Sequence, residues 1–506
     1  MTLETLLFKE INIFPELFLG ISIVYLTLHS TFISINKHYI LIQNSLVSLG
    51  VLILLLVCYL LLNNQLDLLN VTNFNNSIVN DYFSFSTKLI ICFLSLSCLL
   101  MIQQYLADQK LNHFEYVILL LFSILGLFIL ISSNDLLTAY LAIELQSLSF
   151  YVLAAFKKNS TFSIESGIKY FILGSFSSCL FLLGSSLLYG LTGTINFEDF
   201  KDLFLWFFQS NTVLTTLNFD VTLILMAMMF ILISLFFKLA IAPFHVWAPD
   251  VYEGSPSAST FFFSVVPKLS IFVLLFRLFY FSFYSFFDYW RYFVVIFLVF
   301  TVIVGSFGGL EQRKLKSLLV YSSISHMGYS LIAFTTGTFE GIQILFSYLI
   351  IYSFSGLCVW SIFMLTRLKN NYKNKQNKDL TDLVLLGKSN KMLAIFFTTV
   401  LFSIAGFPPM IGFIVKITVF LSAIEASMYF VALLSILGSV IATFYYIRIV
   451  KILFFEKLLI GKLYYPINTS KSILVVLLFF LFLFLFINPT LLFLFSYKLT
   501  LISLPM

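Results

Sequence analysis

The sequence consists of long apolar stretches separated by short polar loops, and this pattern limits the possible folds more than any motif does. Charged residues make up 10% of the 506 residues, whereas a typical soluble domain has about 25%. A membrane β-barrel would need strands of about ten residues with alternating polarity, so a barrel is excluded. We predict an all-α polytopic membrane protein with about 14 transmembrane helices, each long enough to cross about 30 Å of hydrocarbon. The predicted spans are 11–30, 39–63, 83–106, 114–133, 135–156, 166–192, 222–248, 256–281, 289–309, 317–336, 341–366, 393–422, 427–455 and 472–495.

The loops alternate in charge along the chain, and this alternation predicts an orientation. Loops after odd-numbered predicted helices are basic and should face the inner compartment, whereas loops after even-numbered helices are acidic or neutral and should face outside. Lys201 and Arg291 are exceptions in the outer loops. The net charge of +6 therefore reflects topology rather than nucleic-acid binding. The basic loop residues include Lys157, Lys158, Arg313, Lys314, Lys316, Lys388, Lys391 and Lys451, and the acidic ones include Asp81, Glu198, Asp199, Asp202, Glu340 and Glu425.

Four ionisable side chains lie well inside apolar stretches: Glu144, Lys238, Lys268 and Lys416. A charged side chain near a helix centre costs roughly 2.5 to 3.5 kcal/mol, so four cost on the order of 10 kcal/mol before any pairing. Such groups usually face a bundle interior or a water-filled cavity and mark a proton or ion path. We therefore predict that these four residues transfer protons or ions.

The seventh predicted helix combines a buried lysine with a helix-breaking proline. Pro243 has no N–H for the carbonyl of Leu239, so we expect a broken helix with a free acceptor close to Lys238. His245 lies seven residues after Lys238, and a modest kink would leave both on one helix face. The expectation is a water-wired relay of lysine, carbonyl and histidine. The alternative for His245 is an anchor at the membrane interface.

A second proline pair, Pro408 and Pro409, should free the carbonyls of Ile404 and Ala405 shortly before Lys416. One broken helix with a buried lysine thus lies in each half of the predicted helix order. This placement is expected when a transporter consists of two inverted repeats. We predict an N-terminal three-helix segment at 1–110, five-helix repeats at 111–285 and 286–456, and a C-terminal helix at 457–506.

The remaining buried groups suggest an order of transfer. A carboxylate beside an ammonium changes the proton affinity of both groups, so moving Glu144 toward or away from Lys238 would favour proton uptake or release. Lys268 could receive that proton next, and His326 could bridge toward Lys416, since histidine titrates near neutral pH. The alternative for His326 is a polar packing residue within a serine-rich helix face.

Cysteine spacing and nucleotide motifs predict no cofactor site. The five cysteines lie in apolar stretches with no C-x-x-C spacing, so we expect small hydrophobic side chains rather than metal, iron–sulfur or disulfide sites. The sequence contains neither a P-loop nor a G-x-G-x-x-G motif after a strand. The mixed charges of Glu4, Lys9 and Glu10 do not fit a cleavable presequence, which favours synthesis beside its own membrane.

Five segments of the chain form a recognisable series, in the order ELQSLSFYVLAA at 144–155, GIKYFILGSFSS at 167–178, FKLAIAPFHVWAPDVYEGSP at 237–256, KLKSLLVYSSISHMGYSLIAF at 314–334 and GFPPMIGFIVK at 406–416. In this order they resemble the subunit 2 family of respiratory complex I, the NADH:ubiquinone oxidoreductase or NADH dehydrogenase. The resemblance covers most of the chain and is similar to the long form of plants, algae and bacteria. The phrase ELQSL favours subunit 2 over the related subunits 4 and 5.

The resemblance implies an antiporter-like proton channel of the membrane arm, driven by quinone reduction elsewhere in the complex. It assigns proton transfer to Glu144, Lys238, Lys268 and Lys416 on the fifth, seventh, eighth and twelfth helices. NADH, FMN, iron–sulfur clusters and ubiquinone would be bound by other subunits. The partners would be neighbouring antiporter-like and small hydrophobic subunits and lipids. The expected location is the mitochondrial inner membrane, with the bacterial plasma membrane as the alternative.

Two other classes of function stay open at this point. A subunit of a multisubunit cation/proton antiporter would exchange protons for Na⁺ or K⁺ without NADH. In a structural scaffold, the buried charges would be satisfied pairs, and substituting Lys238 or Glu144 would reduce assembly without changing pumping per assembled complex. The resemblance gives no role to Glu425 or to the loop at 369–378.

Overall fold

The computed structural model describes residues 13–34, 39–63, 71–109, 111, 113–209, 221–370, 373–376, 379–384, 386–456, 464 and 467–503. The mixed-charge residues Glu4, Lys9 and Glu10 lie outside these ranges, as do 371–372 and 377–378 of the loop singled out above.

Helices dominate the described residues. The apolar stretches form helices because an unpaired peptide group in hydrocarbon costs several kcal/mol, and a helix pairs its backbone groups within its own segment. In chain order the helices are α1 (Phe14–Ser34), α2 (Tyr39–Asn63), α3 (Tyr82–Asp108), α4 (Glu115–Ser132), α5 (Leu136–Ala155), α6 (Thr161–Thr192), α7 (Phe197–Gln209), α8 (Val221–Leu239), α9 (Trp247–Gly254), α10 (Ser257–Val265), α11 (Pro267–Phe276), α12 (Phe287–Gly308), α13 (Leu315–Thr335), α14 (Phe339–Leu365), α15 (Leu386–Ser389), α16 (Lys391–Ala405), α17 (Ile411–Glu425), α18 (Tyr429–Phe454), α19 (Thr469–Ile487) and α20 (Thr490–Ser503). A π-helical turn covers Arg277–Ser282, and 3₁₀ turns cover Tyr284–Phe286 and Leu380–Leu383.

Two short antiparallel hairpins lie in loops between helices. Strand β1 (Val71–Asn73) pairs with β2 (Ile78–Asn80). Strand β3 (Arg367–Asn370) pairs with β4 (Lys373–Gln376), so part of the 369–378 loop forms a hairpin. The turn of the first hairpin contacts the end of α4, where the side-chain amide of Asn134 donates to the carbonyl of Asn76 at 3.0 Å.

Twelve segments among the described residues are helical, long and apolar enough to cross a membrane. The predicted all-α membrane class is therefore confirmed, whereas the count of fourteen spans stays a prediction. The tenth predicted span, 317–336, corresponds to α13, which is helical but is not among the twelve apolar segments.

Three predicted spans are interrupted by irregular segments of two or more residues, and each of these segments contains proline, which removes a backbone donor and ends a helix. A fourth predicted span, 256–281, is interrupted at the single residue Val266, directly before Pro267. The first two interruptions, in 222–248 and 393–422, lie where the sequence predicts broken helices, whereas the two inverted repeats stay a prediction. The third corrects the predicted span 472–495, where Pro489 separates two helices. The interruptions run from Leu239 to Trp247, from Ala405 to Ile411 and from Ile487 to Thr490.

The segment Ser257–Ser282 lies at the centre of the protein and is enclosed on all sides. Its helices α10 and α11 pack against α14 and α4. Lys268, near the start of α11, is 5% exposed. The fold therefore places this lysine inside protein rather than against lipid. The four predicted domain ranges stay predictions.

Candidate functional site

The first helix break lies between α8 and α9, directly after Lys238. Helix α8 ends at Leu239 because Ala240 adopts a left-handed conformation with φ of +58°. The N–H groups of Ala240 and Ile241 then donate to the carbonyls of the last turn, each at 3.0 Å, which is the pattern of a helix C-cap. The break is thus present as predicted, but it starts before Pro243. The role of Pro243 as the residue that removes a helical bond to Leu239 stays a prediction.

A tryptophan from the next helix completes the same cap. The indole N–H of Trp247 donates to the carbonyl of Phe237 at 2.9 Å. Trp247 also stacks on Tyr170, with ring centroids 4.7 Å apart, and Tyr170 meets Tyr151 edge-on at 4.9 Å. The break and α6 are therefore packed together, and this packing positions the phenol of Tyr151.

Lys238 faces this phenol. Its Nζ donates to the hydroxyl of Tyr151 at 3.3 Å. Tyr151 lies on α5, on the same helix face as Glu144 and about two turns after it. Ser147 lies between them in sequence. The hydroxyl of Ser147 is 3.4 Å from Oε2 of Glu144, and Oε1 of Glu144 is buried without a hydrogen-bond partner in the described part of the chain. Tyr151 therefore lies between Glu144 and Lys238.

No ion pair within 4 Å joins Glu144 to Lys238 among the described residues. The hydroxyl groups of Ser147 and Tyr151 lie between them instead. Glu144 is partly exposed and lies on a face of α5 whose other members, Leu137, Leu141 and Leu148, are each more than half exposed. Glu144 therefore lies at the edge of the protein, and Lys238 is partly exposed as well.

A small cavity connects Lys238 to Lys268. Its volume is about 30 Å³, and its polar lining includes Gln146, Ser147 and Tyr252. Because one water molecule needs about 10 to 15 Å³ in this measure, the cavity has room for about two. A hydrogen-bonded water path between the two ammonium groups fits this space.

Lys268 continues the chain of polar contacts toward the second half. Its Nζ donates to the hydroxyl of Tyr352 on α14 at 2.8 Å and lies 5.0 Å from the centre of that ring. The Tyr352 ring packs against the imidazole of His326, with centroids 5.5 Å apart. Tyr352 therefore contacts both Lys268 and His326.

His326, on α13, is 5% exposed and is surrounded by phenols. Its Nδ1 lies 2.5 Å from the hydroxyl of Tyr348, and its Nε2 lies 3.4 Å from the hydroxyl of Tyr446. The predicted direct bridge from His326 to Lys416 is not among the contacts of the described residues. Tyr329 lies between them, with its ring 5.8 Å from the imidazole and 5.2 Å from Nζ of Lys416.

Lys416 lies at the second helix break and fills it. Its Nζ donates to the carbonyls of Ile404 and Ala405, at 2.7 Å and 3.0 Å. These are the two carbonyls that Pro408 and Pro409 were predicted to free. This buried ammonium has no carboxylate partner among the described residues, and backbone acceptors of its own broken helix satisfy it instead.

The break also depends on Gly406. This residue has φ of +87°, and a Cβ at this position would lie 2.9 Å from Cδ of Lys416. Glycine is required here both for the left-handed backbone and for the space that the lysine side chain takes.

His245 does not belong to this constellation. The predicted shared face with Lys238 is wrong, because α8 ends at Leu239 and His245 lies in the irregular segment after it. Its Nδ1 is buried and has no hydrogen-bond partner among the described residues.

The sequence interpretation missed the tyrosines that connect the predicted residues. Phenol groups both donate and accept hydrogen bonds, so they can transfer a proton between two neighbours. One signal was available, because Tyr348 and Tyr352 are four residues apart on one face of an apolar helix. The five phenols are Tyr151, Tyr329, Tyr348, Tyr352 and Tyr446.

Taken in spatial order, the groups form one line through the protein, which we call the polar line. It runs from Glu144 through Tyr151, Lys238, the small cavity and Lys268 to Tyr352, His326, Tyr329 and Lys416. Hydrogen bonds join Lys238 to Tyr151 and Lys268 to Tyr352, whereas ring contacts join Tyr352, His326, Tyr329 and Lys416. All of these groups can gain or lose a proton or align a water molecule, so the line is suited to proton transfer.

Comparisons with known proteins identify the family. Residues 133–442 match the family model described as NADH:quinone oxidoreductase/Mrp antiporter, TM. The chain is 38% identical over 493 residues to NADH-ubiquinone oxidoreductase chain 2 of Marchantia polymorpha, covering 97% of this chain and 98% of that one. It is 38% identical over 445 residues to NADH-quinone oxidoreductase subunit N of Pelagibacter ubique, covering 88% and 89%.

A solved structure agrees with these matches. A chain of respiratory complex I from Thermus thermophilus with bound aureothin superposes with a TM-score of 0.77 at 25% identity, covering 95% of this chain and 98% of that one. This chain therefore belongs to the NADH:quinone oxidoreductase/Mrp antiporter family, with the chain 2 and subunit N proteins of complex I as its relatives.

Proposed function

We propose that this chain is the proton-conducting chain 2, or subunit N, of NADH:quinone oxidoreductase, with the polar line from Glu144 to Lys416 as its path. It acts as a membrane subunit of a proton-translocating oxidoreductase. The observation that carries the proposal is the continuity between Lys238, the small cavity, Lys268 and Tyr352, since an ammonium buried in a membrane protein, such as that of Lys268, is costly without a use.

In this proposal the lysines hold protons and the hydroxyl groups pass them on. Tyr151 aligns Lys238 toward the side of Glu144, and the small cavity accommodates water between Lys238 and Lys268. Tyr352 and His326 continue the path toward Tyr329 and Lys416. A change in charge at one end of the line alters the proton affinity of the next group along it. Through such changes, quinone reduction elsewhere in the complex could drive proton transfer in this chain.

The exposed face of α5 supports assembly with other membrane subunits. A carboxylate among exposed leucines would be costly against lipid, so we assign this face to contact with a neighbouring subunit that offers a polar or basic group to Glu144. Antiporter-like and small hydrophobic subunits of the membrane arm are the proposed neighbours. NADH, FMN, iron–sulfur clusters and ubiquinone are proposed to be bound by other subunits.

The chain is a multi-pass membrane protein, and we place it in the mitochondrial inner membrane. Its plant relatives are named as ubiquinone oxidoreductase chains, and its bacterial relatives as quinone oxidoreductase subunits. The phenylalanine-rich composition, with 63 Phe residues, fits an AT-rich organelle gene and favours the mitochondrial location. The bacterial plasma membrane is the alternative.

The test is Lys238→Met in sealed vesicles that contain the assembled complex. Proton translocation and NADH:quinone reductase activity are measured per assembled complex, beside the parent. We expect proton translocation to fall by about a hundredfold, the usual cost of removing a positioned proton-transfer group. The proposal is supported if proton translocation and NADH:quinone reductase activity both fall. It is also supported if the number of protons translocated per electron falls while the reductase activity is unchanged.

The matched control is Lys498→Met. Lys498 is exposed on α20 and lies over the ring of Tyr82, away from the polar line, so this variant should behave like the parent. Full retention of both activities in Lys238→Met would overturn the path as drawn here. Proton movement driven by Na⁺ or K⁺ without NADH would instead indicate an antiporter subunit, which the family description also includes.

A further inference from the structure

A second, larger cavity lies away from the polar line, where several membrane segments end. Its volume is about 270 Å³, and we call it the α7 cavity. The π-helical turn, the turn before α12 and the start of α14 line this cavity. Their lining residues are Tyr280, Phe281 and Ser282, then Ser285, then Phe339 and Ile342. Helix α7 closes it from the side of the acidic loops.

Helix α7 is amphipathic and is held against the π-helical turn by its aromatic face. Phe200 and Phe204 are buried and each lies 5.9 Å from the ring of Phe283. Trp206, on the other side of the helix, is 65% exposed. A tryptophan on an amphipathic helix at the ends of membrane spans is typical of the membrane–water interface.

Two hydroxyl groups in the α7 cavity lack partners. Ser282 is 2% exposed, and the buried Oγ atoms of Ser282 and Ser285 have no hydrogen-bond partner in the described part of the chain. Leaving a buried hydroxyl unpaired costs about 1 to 3 kcal/mol, so two such groups on one cavity indicate a ligand with acceptor atoms.

One lysine gives the α7 cavity its charge. Lys201 lines the cavity and places its Nζ 4.8 Å from the centre of the Phe281 ring. None of the ion pairs among the described residues includes it. Lys201 is also one of the two basic exceptions in the outer loops. An ammonium beside two hydroxyl donors is the donor set that a phosphate oxygen prefers.

The apolar part of the cavity lining indicates that the ligand also contains hydrocarbon. Leu205, Phe339 and Ile342 flank the polar groups, and Leu205 is 42% exposed, so the cavity continues onto a lipid-facing surface. A volume of about 270 Å³ suits a headgroup rather than a whole lipid. We propose that the α7 cavity binds the phosphate-bearing headgroup of an anionic phospholipid from the leaflet that the acidic loops face, with the acyl chains running along Leu205.

The test is photo-labelling of the intact purified complex with a photoactivatable phosphatidylglycerol, followed by peptide mass spectrometry of the segment 277–286. We expect labelling of this segment in the parent. Lys201→Ala and Ser282→Ala should each reduce it by about tenfold, the effect of losing one charge-assisted hydrogen bond. Lys498→Ala should leave it unchanged, since Lys498 also lies over an aromatic ring but does not line the cavity.

Four outcomes would overturn the proposal. Equal labelling in Lys201→Ala and in the parent excludes the ammonium as a ligand-binding group. Equal labelling by a phosphatidylcholine analogue excludes selectivity for an anionic lipid. Complete displacement by inorganic phosphate assigns the site to the free anion. No labelling of the parent means that a neighbouring subunit fills the cavity. None of these readouts depends on proton translocation through the polar line.

Discussion

The two helix breaks contain the same elements, a lysine and at least one proline, but they use the lysine differently. At the first break, Lys238 precedes the irregular segment, and the carbonyls of Phe236 and Phe237 in the last turn of α8 accept from backbone N–H groups and the indole of Trp247. At the second, Lys416 follows the irregular segment, and its ammonium donates to the carbonyls of Ile404 and Ala405.

The difference teaches that the position of the lysine relative to the break decides its role in the structure. Because the first break is capped without it, Lys238 is free to face Tyr151 and the small cavity. Lys416 instead stabilises the break that it lies in, so its movement during proton transfer would uncover two buried acceptors. Lys238 should therefore matter mainly for activity, and Lys416 for both stability and activity.

The largest expected effect comes from Lys416→Met compared with Lys238→Met. Both variants remove an ammonium, but only Lys416→Met also leaves the carbonyls of Ile404 and Ala405 without their donor. An unsatisfied buried acceptor costs about 1 to 3 kcal/mol, so Lys416→Met should destabilise the protein by about 2 to 6 kcal/mol more. The measurement is the amount of assembled complex and its thermal inactivation. Equal assembly of the two variants would contradict the contrast between the breaks.

A smaller effect is expected from Gly406→Ala, with Gly193→Ala as the matched control. Both glycines have positive φ, +87° and +73°, so alanine costs about 1 to 2 kcal/mol of backbone strain at either position. Only at Gly406 does the new Cβ also meet the Lys416 side chain, whereas at Gly193 it meets nothing within 4 Å.

Gly406→Ala should therefore lower thermal stability and proton translocation per assembled complex, whereas Gly193→Ala should lower stability alone. If the two variants have the same proton-to-electron ratio, the contact between Gly406 and the Lys416 side chain has no bearing on conduction.

The smallest effect is expected from Gly174→Ala, which tests the first break. A Cβ at Gly174 would lie 2.1 Å from the hydroxyl of Tyr151, so this phenol must move away from Lys238. The loss of one hydrogen bond of about 1 kcal/mol should reduce proton translocation severalfold with little loss of assembly. Gly190→Ala on the same helix is the control, because its Cβ meets nothing within 4 Å. Unchanged translocation in Gly174→Ala would remove Tyr151 from the path.

Much of the fold could be predicted from local patterns. The apolar stretches of about 20 residues predict helices because of the thickness of the bilayer, and the prolines predict the two breaks because they lack a donor. The count of spans and the exact ends are harder, since α13 is helical although less apolar, and Pro489 interrupts a span that hydropathy alone makes continuous.

The candidate site was predicted only in part. Glu144, Lys238, Lys268, His326 and Lys416 were predicted because ionisable groups are rare in apolar segments. Their partners were not found, because tyrosine is common in membrane helices, and only packing distinguishes a phenol in the line from one in the core. His245 was wrongly predicted to share a helix face with Lys238 because the sequence pattern does not reveal where α8 ends. That end depends on the left-handed conformation of Ala240.

The sequence by itself determined the class of protein, the buried charges and the breaks, because each follows from the solvation of single residues or from the missing donor of proline. Only the tertiary structure decided which groups meet. Lys268 and Tyr352 are 84 residues apart, Lys238 and Tyr151 are 87 apart, and Tyr446 and His326 are 120 apart. Contacts across such separations depend on how whole helices pack, and side-chain spacing within one helix does not determine that packing.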